Sequence, residues 1–305
     1  MRKGPRQYRK QSMTQTLPQA ASLDPSWLDH QYNARAGIPE HPQLFMRWAA
    51  ESTAARKALH CALDLPYGRE PGETLDVFPS ARPNGHAAPV LVFIHGGWWR
   101  SLDKSDHSFV AAGFAREGAV VVVPNYALAP SVSVETIAVQ TARALAWTWR
   151  HAASYGGDPA RITLVGHSAG GHLATLLLAC DWQAVSHELP RDLVRRALAI
   201  SGLYDLEPVR RTPFLKSDLR LTRASVARLS PAGFAAPHGR TLYAACGALE
   251  SEEFLRHTAL IRAAWGPLAV PVCEVLPGFN HLDIVHSLAE PGGALHRRAW
   301  ELMQA

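Results

Sequence analysis

Short runs of consecutive apolar residues alternate along the chain with longer stretches whose apolar positions recur at helical spacing. The runs predict strands at 60–65, 74–78, 90–95, 119–123, 162–166, 197–201, 242–247 and 272–276. The middle runs, Val-Leu-Val-Phe-Ile and Val-Val-Val-Val, show no polar alternation. They suit strands covered on both faces, the environment of a parallel sheet. Residues 133–155 carry Val134, Ile137, Thr141, Leu145, Thr148 and Trp149 on a helical period and end at Gly156-Gly157. Residues 172–179 are apolar all round, as expected of a helix lying against a sheet centre. Strand–helix alternation sustained over about 240 residues predicts an α/β fold, with a mostly parallel eight-stranded sheet and helices on both faces.

Two regions break the alternation. Residues 1–59 contain no strand pattern, and 22–58 reads as helices wrapped on the body. Residues 203–238 hold Pro208, Pro213 and Pro231, many Arg, and again no strand, which points to a lid or substrate loop. The expected organisation is a basic, polar and disordered tail over 1–24, then a single domain over 25–305 with 203–238 as an insertion.

Composition narrows the class. With 305 residues, 47% of them hydrophobic and 19% charged, the chain is long enough and apolar enough to bury a large core. It contains no run of 18 uncharged apolar residues, so no transmembrane helix is expected. The net charge of +5 equals the five charges of Arg2, Lys3, Arg6, Arg9 and Lys10, and residues 1–12 contain no acid. The remainder therefore sums to zero, and the basic character belongs to a tail, not to a nucleic-acid-binding face. Met13 opens a second candidate start, and the mostly polar stretch 11–20 does not read as the apolar region of a signal peptide. The four cysteines, Cys61, Cys180, Cys246 and Cys273, show no metal-type spacing, and His-Glu-x-x-His is absent. They read as reduced thiols of a cytoplasmic protein.

The chemistry is carried first by Gly166-His167-Ser168-Ala169-Gly170-Gly171, which fits Gly-x-Ser-x-Gly between a predicted strand and a predicted helix. Small residues on either side of Ser168 permit a strained strand-to-helix turn that pushes its hydroxyl out of the sheet. The following helix N-terminus faces the charge that develops during attack. The competing reading is a small-residue turn that merely packs helix on sheet. A second apolar strand runs straight into His95-Gly96-Gly97-Trp98-Trp99, where glycine lets backbone N–H groups turn towards an oxyanion. The expected donors are Gly97 and Trp98 together with Ala169, and which of Gly96, Gly97 and Trp98 point inward is left open. His95 reads as a hydrogen-bonder shaping that loop. Trp98 and Trp99 are candidate pocket walls that would serve equally well as core.

The set His95-Gly-Gly-Trp, Asn125-Tyr-Ala-Leu-Ala-Pro130, Gly166-His-Ser-Ala-Gly-Gly171 and Ser201-Gly-Leu-Tyr-Asp-Leu206 resembles the α/β-hydrolases of the esterase and hormone-sensitive-lipase-like group. Trp27-Leu-Asp-His-Gln-Tyr-Asn-Ala-Arg35, the aromatic after His-Gly-Gly, the Tyr-Asp-Leu segment and Glu250-Ser-Glu-Glu-Phe254 with Arg256 are similar to the kynurenine formamidase (arylformamidase) branch. The resemblance covers roughly residues 25–300 and implies a Ser-His-acid triad. Among His257, His281, His286 and His296, only His281 follows the last strand by one short loop, so it is the expected base. The acid should follow the penultimate strand, where Glu250 comes first. The formamidase branch usually has Asp at that place, and Asp205, one strand earlier, is the rival.

The expected activity is that of a serine hydrolase acting through an acyl-enzyme on a carboxylic ester or an aryl formamide such as N-formylkynurenine. Trp98, Trp99, Tyr126 and Phe279 would form a pocket for a flat leaving group. The alternative is a non-catalytic small-molecule binder on the same fold. No metal or cofactor is expected. The anticipated partners are the small-molecule substrate and a second copy in a homodimer, with neither nucleic acid nor membrane.

Overall fold

The apolar runs become one sheet in the computed structural model, which describes residues 17–82 and 85–305. Three helices come first, α1 (Pro25–Tyr32), α2 (Ala34–Gly37) and α3 (His41–Ala58). Asp24 starts α1 by accepting from the N–H groups of Ser26 and Trp27, with Pro25 at the first helical position. Strands β1 (Ala62–Pro66), β2 (Thr74–Phe78) and β3 (Ala88–Ile94) follow, then α4 (Ala111–Glu117), β4 (Val120–Pro124), α5 (Val134–His151) and β5 (Gly157–His167). The second half runs α6 (Ala169–Leu178), α7 (Trp182–Val185), β6 (Arg196–Ile200), α8 (Leu206–Arg211), α9 (Pro213–Leu219) and α10 (Arg223–Leu229). It closes with β7 (Thr241–Gly247), α11 (Glu252–Ala269), β8 (Val272–Leu276), α12 (Ile284–Ala289) and α13 (Ala294–Gln304).

Among the described residues the sheet has eight strands in the order β1-β2-β4-β3-β5-β6-β7-β8. The first two pairings are antiparallel and the rest parallel. The continuous apolar strands face two ways. Val90, Val92 and Ile94 of β3 enter the core under α5 and α6, while Leu91 and Phe93 enter the core under α4, α12 and α13. Val120 and Val122 divide from Val121 and Val123 in the same manner. Both layers exclude water, which accounts for the absence of polar alternation.

Of the tail expected over 1–24, residues 1–16 lie outside the described residues. Residues 17–24 lie along the body, where the Pro18 carbonyl accepts from Arg256 Nη1 at 3.3 Å. The insertion at 203–238 contains α8, α9, α10 and a 3₁₀ turn at Pro231–Gly233. It is tied to α1 by the Phe214 N–H, which donates to Asp29 Oδ1 at 3.1 Å. Among the described residues no helix is long and apolar enough to cross a membrane.

Candidate active site

Three strand ends bring the site together. At the end of β5 the chain turns sharply into α6, and Ser168 at the turn has φ 57° and ψ −119°. The turn is compact enough to require glycine: a Cβ on Gly170 would lie 1.9 Å from the Ile94 carbonyl oxygen of β3. Such a left-handed backbone at serine is costly and persists only because the packed strand and helix dictate it. The Ser168 N–H donates to the Ile200 carbonyl of β6 at 2.8 Å, which fixes the turn to the neighbouring strand.

From Ser168 a line of hydrogen bonds runs back through the two strand ends beyond it. Ser168 Oγ lies 3.0 Å from His281 Nε2, and His281 Nδ1 lies 2.6 Å from Glu250 Oε2. His281 sits after β8 and Glu250 after β7. The other carboxylate oxygen of Glu250 accepts from Ser201 Oγ at 2.6 Å and from the Gly247 N–H at 2.7 Å. The acid is thus fully buried and held at both oxygens. Behind His281 the His167 ring stands 4.9 Å away, and its Nε2 donates to the His281 carbonyl at 2.8 Å. Burial, with His281 beside it, pushes His167 well below the ordinary imidazole range, so it stays neutral. The Phe254 ring covers His281 from the other side, with centroids 4.2 Å apart.

The loop after β3 lies against the same turn. Gly96 packs so closely that a Cβ there would lie 3.0 Å from Ser168 Cβ and 2.9 Å from the His167 carbonyl. Beyond it Gly97 has φ 104°, and Trp98 and Trp99 both have φ 55°. Arg100 N–H, Ser101 N–H and Ser101 Oγ all converge on the Gly97 carbonyl, at 3.0–3.1 Å. Among the described residues the N–H groups of Gly97, Trp98 and Ala169 donate to no protein acceptor. Such a set of free donors beside a serine hydroxyl can receive an oxyanion. His95 shapes the loop from below. Its Nδ1 is 2.8 Å from the Gly96 carbonyl, its Nε2 is 3.0 Å from Asn125 Oδ1, and burial lowers its pKa.

Several expected residues stand elsewhere. Tyr126 is fully buried, stacked on His95 at 4.3 Å with its hydroxyl donating to the His95 carbonyl at 2.9 Å, so it supports the loop from below. Trp99 is fully buried in the core, edge-on to His172 at 5.0 Å. The repeated left-handed backbone turns Trp98 and Trp99 in different directions, and Trp98 alone of the pair joins the aromatic cluster around Phe254. Phe279 packs on the core beneath the sheet. Asp205 caps α8 through the Glu207 N–H at 3.1 Å and lies 3.5 Å from Arg256 Nη1, making no contact with His281. His257 bonds Tyr32, His286 bonds Glu51 and His296 bonds Glu117, all away from Ser168. Ser201, Phe254 and Tyr32 escaped assignment, although each lies inside a motif quoted from the sequence. Among the described residues no cluster of three His, Cys, Asp or Glu is placed to hold a metal.

Comparison with known proteins agrees with this architecture. The family described as the alpha/beta hydrolase fold matches residues 91–251. The chain is 33% identical over 182 residues to a kynurenine formamidase of Danio rerio, spanning 59% of this chain and 58% of that protein. It is 30% identical over 209 residues to the kynurenine formamidase of Salmo salar, spanning 68% and 67%. The esterase LipQ of Mycobacterium tuberculosis is 33% identical over 176 residues, 55% of this chain and 39% of that one. Among solved structures, a candidate thioesterase from Silicibacter sp. tm1040 superposes with a TM-score of 0.78 at 28% identity, covering 90% of this chain and 98% of that chain. An esterase from Pyrobaculum calidifontis gives 0.65 at 18% identity over 86% and 91%, a likeness of fold alone. Strand order, the Ser168 turn and a family match across more than half of the chain converge on one assignment: the protein belongs to the α/β-hydrolase fold family.

Proposed function

We propose that the chain is a serine hydrolase that cleaves a carboxylic ester or an aryl formamide through an acyl-enzyme. The observation that carries this reading is the unbroken line from Glu250 through His281 to Ser168. In the first step His281 Nε2 takes the Ser168 proton as Oγ attacks the carbonyl carbon. Glu250 stabilises the resulting imidazolium and holds its tautomer. The developing oxyanion is received by the N–H groups of Gly97, Trp98 and Ala169. His281 then gives its proton to the departing alcohol or amine, and water repeats the sequence to release the acid.

The substrate reading favours a small acyl group. Ser168 is 3% exposed and His281 5%, and Phe254 and Trp98 crowd the same end of the sheet. Formyl needs almost no acyl space, which agrees with the relatives named kynurenine formamidase. Beside His281 a cavity of about 220 Å³, walled by Phe254, Asn33 and Ser251 among others, offers room to the leaving group that His281 must protonate.

The test is a rate comparison on N-formylkynurenine and on p-nitrophenyl acetate and butyrate, with a sulfonyl fluoride as active-site label. The expected order is formyl above acetyl above butyryl, with one label per chain on Ser168. Ser168→Ala should lower kcat by roughly 10⁴–10⁶. Full turnover by Ser168→Ala would overturn the mechanism. A wild-type chain that neither hydrolyses nor takes up the label would support a binding protein instead.

A further inference from the structure

The sequence stretch from Trp27 to Arg35 lies outside the strand ends that carry Ser168, Glu250 and His281, yet it ends in the site. Its Tyr32, the last residue of α1, is fully buried and forms edge contacts with two rings. Trp98 lies 5.7 Å away at 87° and Phe254 lies 6.1 Å away at 77°. These two rings belong to different parts of the machinery. Trp98 supplies an N–H to the oxyanion loop, and Phe254 covers the His281 imidazole. Among the described residues, Tyr32 is therefore the one ring that touches both.

Its hydroxyl is held in place. The Tyr204 N–H donates to His257 Nδ1 at 3.1 Å, so the proton of this imidazole is on Nε2. That N–H points at the Tyr32 oxygen at 3.0 Å, and the Tyr32 hydroxyl in turn donates to Glu253 Oε2 at 2.6 Å. Glu253 is clamped by both arms of Arg256 at 2.8 Å. Burial keeps His257 neutral, and burial with the Glu253 charge keeps Tyr32 protonated, so each member has one role in the chain. Linked donors of this kind reinforce one another in a water-free interior. The ring of Tyr32 is thus pinned at its hydroxyl end while its edges bear on Trp98 and Phe254.

We propose that Tyr32 is a positioning residue: it holds Trp98 in the strained conformation that aims its N–H at the oxyanion and steadies Phe254 against His281. The inference rests on the serine-hydrolase reading and extends it to a residue that never meets the reacting atoms. Trp98 has φ 55°, a left-handed backbone that relaxes unless its surroundings oppose it. An oxyanion donor is felt in the transition state and not in the bound substrate, so a displaced Trp98 lowers kcat while leaving KM in place.

The experiment compares wild type with Tyr32→Phe and Tyr32→Leu, each normalised to active sites titrated with a sulfonyl fluoride. Tyr32→Leu removes the ring, and its kcat on p-nitrophenyl acetate should fall about 10–100-fold with KM changed less than about threefold. Inhibition by phenylboronic acid, which forms a tetrahedral adduct with the serine, should weaken by the same factor. Tyr32→Phe keeps the ring and loses the pin, so its fall should be smaller, on the order of three- to tenfold. A role in folding alone would lower Tm and the titrated fraction while each surviving site turned over normally. If Tyr32→Leu matches wild type per titrated site, the proposal is wrong. Should the leucine variant fail to fold, an unchanged kcat and boronate affinity in Tyr32→Phe would refute the pinning. Absence of any label on wild-type Ser168 would instead remove the hydrolase reading beneath it.

Discussion

Replacing Glu250 by glutamine separates charge from shape at the buried end of the site. The carboxylate has three donors around it: His281 Nδ1 at 2.6 Å on one oxygen, and Ser201 Oγ at 2.6 Å with the Gly247 N–H at 2.7 Å on the other. Glutamine has one acceptor oxygen and one NH₂ to fit the same space. If its NH₂ faced Gly247, two N–H donors would meet in a dry interior, which costs about 1–3 kcal/mol and has no remedy in a fixed backbone. If the NH₂ faces His281, the imidazole can answer by moving its proton from Nδ1 to Nε2. The second arrangement wins because a tautomer shift is cheaper than a buried clash of donors. The proton then sits on the nitrogen that must accept from Ser168, and no carboxylate remains to stabilise the imidazolium.

The expected loss is about 10⁴ in kcat, equivalent to about 5.5 kcal/mol of transition-state stabilisation, with KM little altered. Glu250→Asp keeps the charge but shortens the arm by one methylene, so it gives up either the Gly247 anchor or the His281 bond. Its loss should fall between wild type and glutamine. The assay is kcat on p-nitrophenyl acetate per titrated site, with circular dichroism and Tm to show that the chain is folded. Asp205→Asn is the control and should affect stability more than turnover, because its carboxylate caps α8. A folded Glu250→Gln within tenfold of wild type, beside an inactive Asp205→Asn, would show that the wrong carboxylate has been given the role.

Two other perturbations follow from the same contacts. Gly96→Ala places a Cβ 2.9 Å from the His167 carbonyl and 3.0 Å from Ser168 Cβ, so the loop after β3 must back away from Ser168. A fall of about 10²-fold in kcat with far-UV circular dichroism unchanged is expected, and an unchanged rate would mean that the loop is not where the reaction occurs. His172 is pushed down to about 4 by burial, against an ordinary 6.5 in the unfolded chain. Below pH 6.5 the unfolded chain takes up a proton that the folded one refuses, so this stability is whole above 6.5 and is lost as pH falls towards 4. The decline should approach about 1.4 kcal/mol per pH unit for this imidazole, and the unfolding free energies from urea titrations at pH 6.5 and 5 should differ by about 1.6 kcal/mol less in His172→Gln than in wild type. An identical decline in both would remove His172 from the account.

The parallel sheet was legible because strands buried on both faces leave a plain mark, an apolar run with no alternation. The β3 run divides its side chains between two cores, and only a sheet covered on each side asks for that. The turn at Ser168 was legible for a related reason, since small residues at fixed spacing between strand and helix have few other uses. The helices of 203–238 were not legible. Elements of six or seven residues cannot hold themselves together, and contacts such as Asp29 to Phe214 fasten them. The surroundings of the aromatics were not legible, because nearness in sequence does not fix direction. Trp98 and Trp99 are neighbours with the same φ and are both buried, yet Trp98 packs on Phe254 while Trp99 packs on His172. Tyr126 follows β4 at the level of the site, but its partner is His95, so it acts from beneath the loop.

The acid shows how a local turn can compensate for a longer side chain. An aspartate in this place, one methylene shorter, could not keep both the Gly247 N–H and the His281 Nδ1 that the Glu250 carboxylate spans. Glu250 carries one more methylene, and the structure accommodates it by folding the chain back on itself. The Glu250 N–H donates to the Gly247 carbonyl at 3.2 Å, while its own carboxylate returns to the Gly247 N–H at 2.7 Å. Backbone and side chain thus close on the same residue from both ends, and the second oxygen is left at hydrogen-bonding distance from His281. Gly247 has no side chain to obstruct this return, and a Cβ there would meet the Phe279 carbonyl at 2.2 Å, the same loop that delivers His281. Glu250, His281 and Gly247 therefore form one packed unit. A side chain at Gly247 would displace the loop that carries His281.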